Sequence, residues 1–123
     1  MTSVFAAPAK FLKRVAPLAA VALLGLSFNV MAAEVDADAA MALAKKNDCF
    51  KCHAVDKTKK GPSYKKVAAK YKGKEAEGAE KILKNITTGP KVKLEDGTEE
   101  EHKIIDSKDP KAIKNLIDWI LAQ

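Results

Sequence analysis

The stretch Asp48-Cys49-Phe50-Lys51-Cys52-His53-Ala54-Val55-Asp56 decides how the rest of this 123-residue chain is read. It holds both cysteines of the chain, with two residues between them, and one of its two histidines directly after the second. Two thiols and an imidazole packed this closely ask for a partner that takes all three at once. The surroundings must then say which partner.

Upstream, residues 1–33 contain no acid and three bases, Lys10, Lys13 and Arg14, followed by the apolar run VAPLAAVALLGLSFNV and the small-residue ending MAA. That is the order of a secretory signal peptide. Cleavage is expected after Ala32 or Ala33, since the charged sequence begins at Glu34. The apolar run is short and broken by Pro17 and Asn29, which disfavours a spanning helix of about 20 residues and the plainer reading of an uncleaved anchor. Residues 34–123 carry no linker or repeat and read as one exported domain with no stable membrane insertion.

This domain has nineteen lysines and sixteen acids, a net charge of +3. The charge is unevenly placed. Residues 51–74 hold nine lysines and one acid, and residues 95–108 hold six acids and two lysines. Such polarity suits steering toward an acidic partner, although a solvated lysine face with no partner is the plainer reading. Nucleic-acid binding is excluded by export, by the lack of arginine after residue 33 and by the lack of a recognition motif. So short a domain builds a poor core, and a Cys-x-x-Cys disulfide closes too small a loop to help much. Something larger has to fill the interior.

The local signals are helical. DADAAMALAKKND has Asp36 or Asp38 as cap and Lys45 and Lys46 near its C-terminal end. Gly61 and Pro62 punctuate a loop, after which Tyr64, Val67, Ala68 and Tyr71 recur at helical spacing. In KEAEGAEKILKNITTG, Ile82, Leu83 and Ile86 are expected on one face, with Gly89 as the stop. The last helix has Asp109 as cap, Pro110 at its first position, and an apolar stripe of Ile113, Leu116, Ile117 and Ile120 beside Trp119. The connection PKVKLEDGTEEEHKIIDSKD is long for so small a domain. Asp96-Gly97 suggests a tight hairpin there, and Thr98 with Glu101 suggests a capping box. The two signals compete.

Cys-x-x-Cys-His is the attachment signature of c-type haem. Each thiol adds to one porphyrin vinyl group, and the residue after the second cysteine is then held close to the iron. A zinc site is a poor rival, because Cys49, Cys52, His53 and His102 are the only cysteines and histidines and their spacing fits no common finger. A thioredoxin-like dithiol expects the pair at a helix start after a strand, whereas the chain before Cys49 reads as helix. A plain disulfide leaves His53 unexplained.

Across AMALAKKNDCFKCHAVDKTKKGPSYKKVAAKYKG, KILKNITTG and the terminal LIDWIL, residues 34–123 resemble the small monohaem class I c-type cytochromes of bacterial periplasms. The resemblance implies an all-α fold of about four helices around one covalently bound haem c. It implies Cys49 and Cys52 as the haem-bearing residues and His53 as proximal ligand. It further implies that the Pro62 carbonyl accepts the His53 ring proton and that Trp119 packs near a haem propionate; an ordinary core role for Trp119 fits equally well.

The chain departs from this family at one point. The family places a methionine in the loop before the last helix, yet Met1, Met31 and Met41 all precede His53. Met41 belongs to the first helix, where core packing is its simplest role. His102 falls seventeen residues before Trp119, much where that methionine would stand. The lysines of the same loop, Lys91, Lys93 and Lys103, are handicapped. Neutralising a lysine of pKa near 10.4 at pH 7 costs about 4.6 kcal/mol, whereas a histidine near 6.5 is already mostly neutral. The expectation is therefore a non-enzymatic one-electron carrier with His53 and His102 on iron, a lowered potential, and acidic redox partners for a monomeric protein. A five-coordinate haem that binds a diatomic gas, and a haem-free dithiol oxidoreductase, are the alternatives.

Overall fold

Among the described residues, three of the four α-helices start at a side chain that caps them. In the computed structural model, which describes residues 34–123, α1 spans Ala37–Lys46, and the Asp36 carboxylate accepts from Ala39 N–H at 2.9 Å. Helix α2 spans Tyr64–Tyr71 and is capped by Ser63, whose hydroxyl accepts from Lys66 N–H at 3.1 Å. Helix α4 spans Pro110–Leu121, with Asp109 accepting from Lys111 N–H at 2.9 Å and Pro110 in the first turn. Helix α3, Glu75–Thr88, has no such side-chain cap and ends on Gly89 in the left-handed region, φ 61°. The expected signal peptide, residues 1–33, lies outside the described residues. Among the described residues, no helix is long and apolar enough to cross a membrane.

The core lies where α1, α2 and α3 meet α4. Leu116, Ile117, Trp119 and Ile120 of α4 are all buried, and Ala40, Ala44, Tyr64, Ile82, Ile86 and Ile105 close around them. Met41 packs against this cluster from α1, as expected. Asn115 fastens the two terminal helices reciprocally. It accepts from Asp36 N–H at 2.9 Å and donates to the Asp36 carbonyl at 2.8 Å. Leu83 departs from expectation: it is 42% exposed, while Ile82 and Ile86 are buried. Adjacent helical positions stand about 100° apart, so a face that buries Ile82 turns Leu83 to the rim.

The competing signals after α3 resolve as a hairpin. Strands β1 (Lys91–Lys93) and β2 (Glu99–Glu101) pair antiparallel, Val92 opposite Glu100. The turn is built by Asp96, whose carboxylate accepts from the Thr98 N–H at 2.9 Å and the Thr98 hydroxyl at 2.6 Å. Gly97 takes the φ of 86° that the turn requires. Thr98 is thus used by the turn and starts no helix. The hairpin reading puts Val92, Leu94, His102 and Ile104 on compatible faces; the first three are half-buried, whereas Ile104 is 48% exposed and Ile105 takes the core position. No residue from Thr87 to Ile104 is buried.

Candidate functional site

The segment between α1 and α2 is bent back on itself. Asp48 adopts φ 57°, a left-handed conformation that aspartate tolerates, and turns the chain into a short 3-10 turn over Cys49–Lys51. Gly61 N–H then donates to the Cys52 carbonyl at 2.8 Å, and Tyr64 N–H to the Ala54 carbonyl at 2.9 Å. The loop from Cys49 to Ser63 therefore wraps around His53. Both cysteines are half-buried and form no disulfide with each other. Burial pushes the Cys49 thiol above its ordinary value, opposite to what a dithiol redox nucleophile needs.

His53 Nδ1 stands 2.7 Å from the Pro62 carbonyl oxygen. A carbonyl only accepts, so Nδ1 carries the proton and Nε2 presents its lone pair. Burial pulls the His53 imidazole below its usual range, against the opposing pull of the Pro62 carbonyl, and favours the neutral ring. Gly61 backs onto that ring: a methyl group there would lie 2.7 Å from His53 Cε1.

His102 sits one residue past β2, where its N–H donates to the Pro90 carbonyl at 2.9 Å and extends the ladder. Its Nδ1 also meets a backbone carbonyl, that of Lys103, at 2.9 Å. The two imidazoles, 49 residues apart in the chain, come together with ring centroids 6.2 Å apart and planes at 40°. Trp119 is 5% exposed within the core and meets edge-on, at 5.4 Å, the ring of Tyr64, which itself lies beside His53.

Three features of the site were not anticipated from the sequence. Tyr64, read as one more apolar helix position, lies nearly parallel to the His53 ring at 5.3 Å, and burial raises its hydroxyl far above the usual tyrosine range. Asp48 binds Lys103, the neighbour of His102, at 3.0 Å, and the Lys103 and Lys51 ammonium groups hold its carboxyl below the usual value. Hairpin acids also pair with the lysine-rich segment, Glu100 with Lys60 at 3.3 Å and Glu95 with Lys66 at 3.0 Å. The two charged stretches, separate in sequence, partly neutralise one another in space.

Residues 37–123 match the family model for cytochrome c. The chain belongs to the cytochrome c family. The cytochrome is 35% identical to cytochrome c-552 of Nitrosomonas europaea over 99 residues, covering 72% of this chain and 79% of that protein. It is 36% identical over 64 residues to cytochrome c-551 of Allochromatium vinosum, 52% of this chain and 67% of the other. A crystal structure of the class 1 cytochrome MtoD from Sideroxydans lithotrophicus ES-1 superposes with a TM-score of 0.67 at 60% identity, covering 72% of this chain and 97% of that one. A deletion mutant of the Nitrosomonas europaea cytochrome c552 superposes with a TM-score of 0.53 at 32% identity, covering 67% and 96%. This cytochrome is thus a small class I electron-carrier haem protein of the bacterial type. It binds one haem c covalently at its Cys-x-x-Cys-His motif, and the haem-free dithiol alternative falls.

Proposed function

We propose that this cytochrome is an exported, periplasmic one-electron carrier whose iron is held by His53 on one side and His102 on the other. Cys49 and Cys52 carry the thioether links, and the Pro62 carbonyl fixes the His53 tautomer and strengthens it as a ligand. Trp119 supports the haem pocket through Tyr64. Residues 1–33 are the signal peptide removed on export.

The separation of the two imidazoles carries this reading. A metal–imidazole bond is about 2.0–2.1 Å and a ring centre lies roughly 1.1 Å behind its nitrogen, so two rings across one ion stand about 6.2–6.4 Å apart. His53 and His102 stand at 6.2 Å, each with Nδ1 against a backbone carbonyl. Haem supplies one-electron redox chemistry, and two protein ligands leave no position for a substrate. Imidazole in place of methionine lowers the potential. The purified protein is expected to be low-spin in both oxidation states, to show nitrogen ligation in magnetic circular dichroism, and to resist carbon monoxide. A sulfur-ligand signature, or immediate carbon monoxide uptake, would sink the assignment.

The docking face belongs to the lysines of residues 51–74 that make no ion pair among the described residues, Lys57, Lys59, Lys65, Lys70, Lys72 and Lys74. They suit brief encounters of a monomer with acidic redox partners. Electron exchange with an anionic small-molecule oxidant should slow about tenfold as the Debye length shortens from about 30 to about 8 Å, while a cationic oxidant speeds up. An equal salt response of both probes would remove the lysine face from the account.

A further inference from the structure

His53 is anchored at its backbone and at Nδ1, which stands 2.7 Å from the Pro62 carbonyl oxygen. Nδ1 lies off the Cβ–ring axis, so that hydrogen bond restrains the twist, but a single bond of this kind tolerates an arc of rotation. The torsion itself is broad and two-fold, with little preference of its own. Within that arc the angle of the ring plane is set by its neighbours. Gly61 leaves room for the ring: a methyl group there would lie 2.7 Å from Cε1, 3.1 Å from Nδ1 and 3.3 Å from Nε2. The Tyr64 ring covers it nearly parallel, with centroids 5.3 Å apart and planes at 20°.

Tyr64 is in turn immobilised. It is 4% exposed. Trp119 meets its ring edge-on at 5.4 Å and 74°, and Phe50 at 6.1 Å and 67°. Edge-to-face contacts of this kind fix orientation as well as burying area. Its own N–H donates to the carbonyl of Ala54, the residue after His53, at 2.9 Å, and the next N–H, of Lys65, donates to the Val55 carbonyl at 2.9 Å. The Ser63 cap makes this helix end rigid. A plate held on three sides thus lies against the arc of twist that the Pro62 hydrogen bond leaves to His53.

We propose that Tyr64 is the positioning residue that sets the plane of the His53 imidazole, and through it the orientation of the proximal ligand on the haem. This rests on His53 being that ligand and not on the identity of the sixth. The plane of an axial imidazole decides which iron d orbital meets its π electrons. The anisotropy of the ferric electron paramagnetic resonance signal and the order of the haem methyl proton shifts both follow that angle. Packing without positioning would move neither.

The test uses the holoprotein. Tyr64→Phe keeps the plate and should keep the wild-type signals. Tyr64→Leu should stay low-spin but reorder the methyl shifts and alter the g-value spread. Tyr64→Leu with wild-type signals and only a lower denaturation midpoint would overturn the proposal, as would Tyr64→Phe displaced as far as Tyr64→Leu. If Tyr64→Leu does not accumulate, the wild-type ferrous protein decides. Nuclear Overhauser contacts between the Tyr64 and His53 rings, with slow flipping of Tyr64, support the proposal, and their absence overturns it. Should the wild-type His53 ring protons lack the strong ring-current shifts of an axial ligand, the ligand reading itself fails, an outcome distinct from the variant results.

Discussion

Replacing His102 with alanine is expected to turn a low-spin pigment into a high-spin one that takes up carbon monoxide, with covalent attachment and fold intact. The change is large in spectrum and small in stability for a structural reason. His102 is half-buried on a segment from which no side chain enters the core between Thr87 and Ile104. That segment is held by exposed ion pairs, Glu95 with Lys66, Glu100 with Lys60 and Lys103 with Asp48, each contributing roughly 0–1 kcal/mol. The variant should therefore denature within about 1 kcal/mol of the wild type. No lysine is ready to substitute. Lys103 is engaged by Asp48, and the exposed Lys91 and Lys93 stand opposite Glu101 and Glu99. The ferric absorption spectrum and a carbon monoxide titration of the ferrous protein check this. A variant as low-spin as the wild type would place some other group on the iron.

Much of the frame is legible in the amino-acid order, and the legible part shares one property. Asp36 and Asp109-Pro110 act within four residues of themselves, so their effect is written locally. The motif at Cys49, Cys52 and His53 is equally local, which is why attachment chemistry follows from spacing alone. What the sequence conceals depends on distant residues meeting. The choice between hairpin and capping box after Leu94 turns on whether Asp96 claims Thr98. The Glu95–Lys66 and Glu100–Lys60 pairs span 29 and 40 residues. They overturn the picture of two segregated charge regions, because net charge along a chain carries no information about which segments fold against each other. Tyr64 is hidden for a related reason. Helical periodicity marks a position as inward-facing, but it does not say that the inward neighbour is an imidazole.

Gly89→Ala is expected to cost about 2–4 kcal/mol and to loosen His102, whereas Gly73→Ala should cost only about 1–2 kcal/mol and leave the spectrum alone. The two glycines separate backbone strain from steric displacement. Both have positive φ, 61° at Gly89 and 77° at Gly73, so both variants bear the left-handed strain of a residue with a Cβ. Around Gly73 nothing lies within 4 Å of the added methyl group. At Gly89 the methyl group would stand 2.8 Å from the His102 carbonyl oxygen and 2.9 Å from Ile104 Cγ1. The first of these is backbone and has no rotamer to escape into. Just beyond, Ile105 is buried and its N–H donates to the Ile86 carbonyl at 2.9 Å, so the strain cannot run further along the chain. It must be relieved at residues 102–104, which carry the distal imidazole. Denaturant midpoints at unchanged m-value give the two costs, and the high-spin fraction of ferric Gly89→Ala reports the displacement. Equal costs, with both variants fully low-spin, would show that the close approach of α3 to the His102 backbone does not position the ligand.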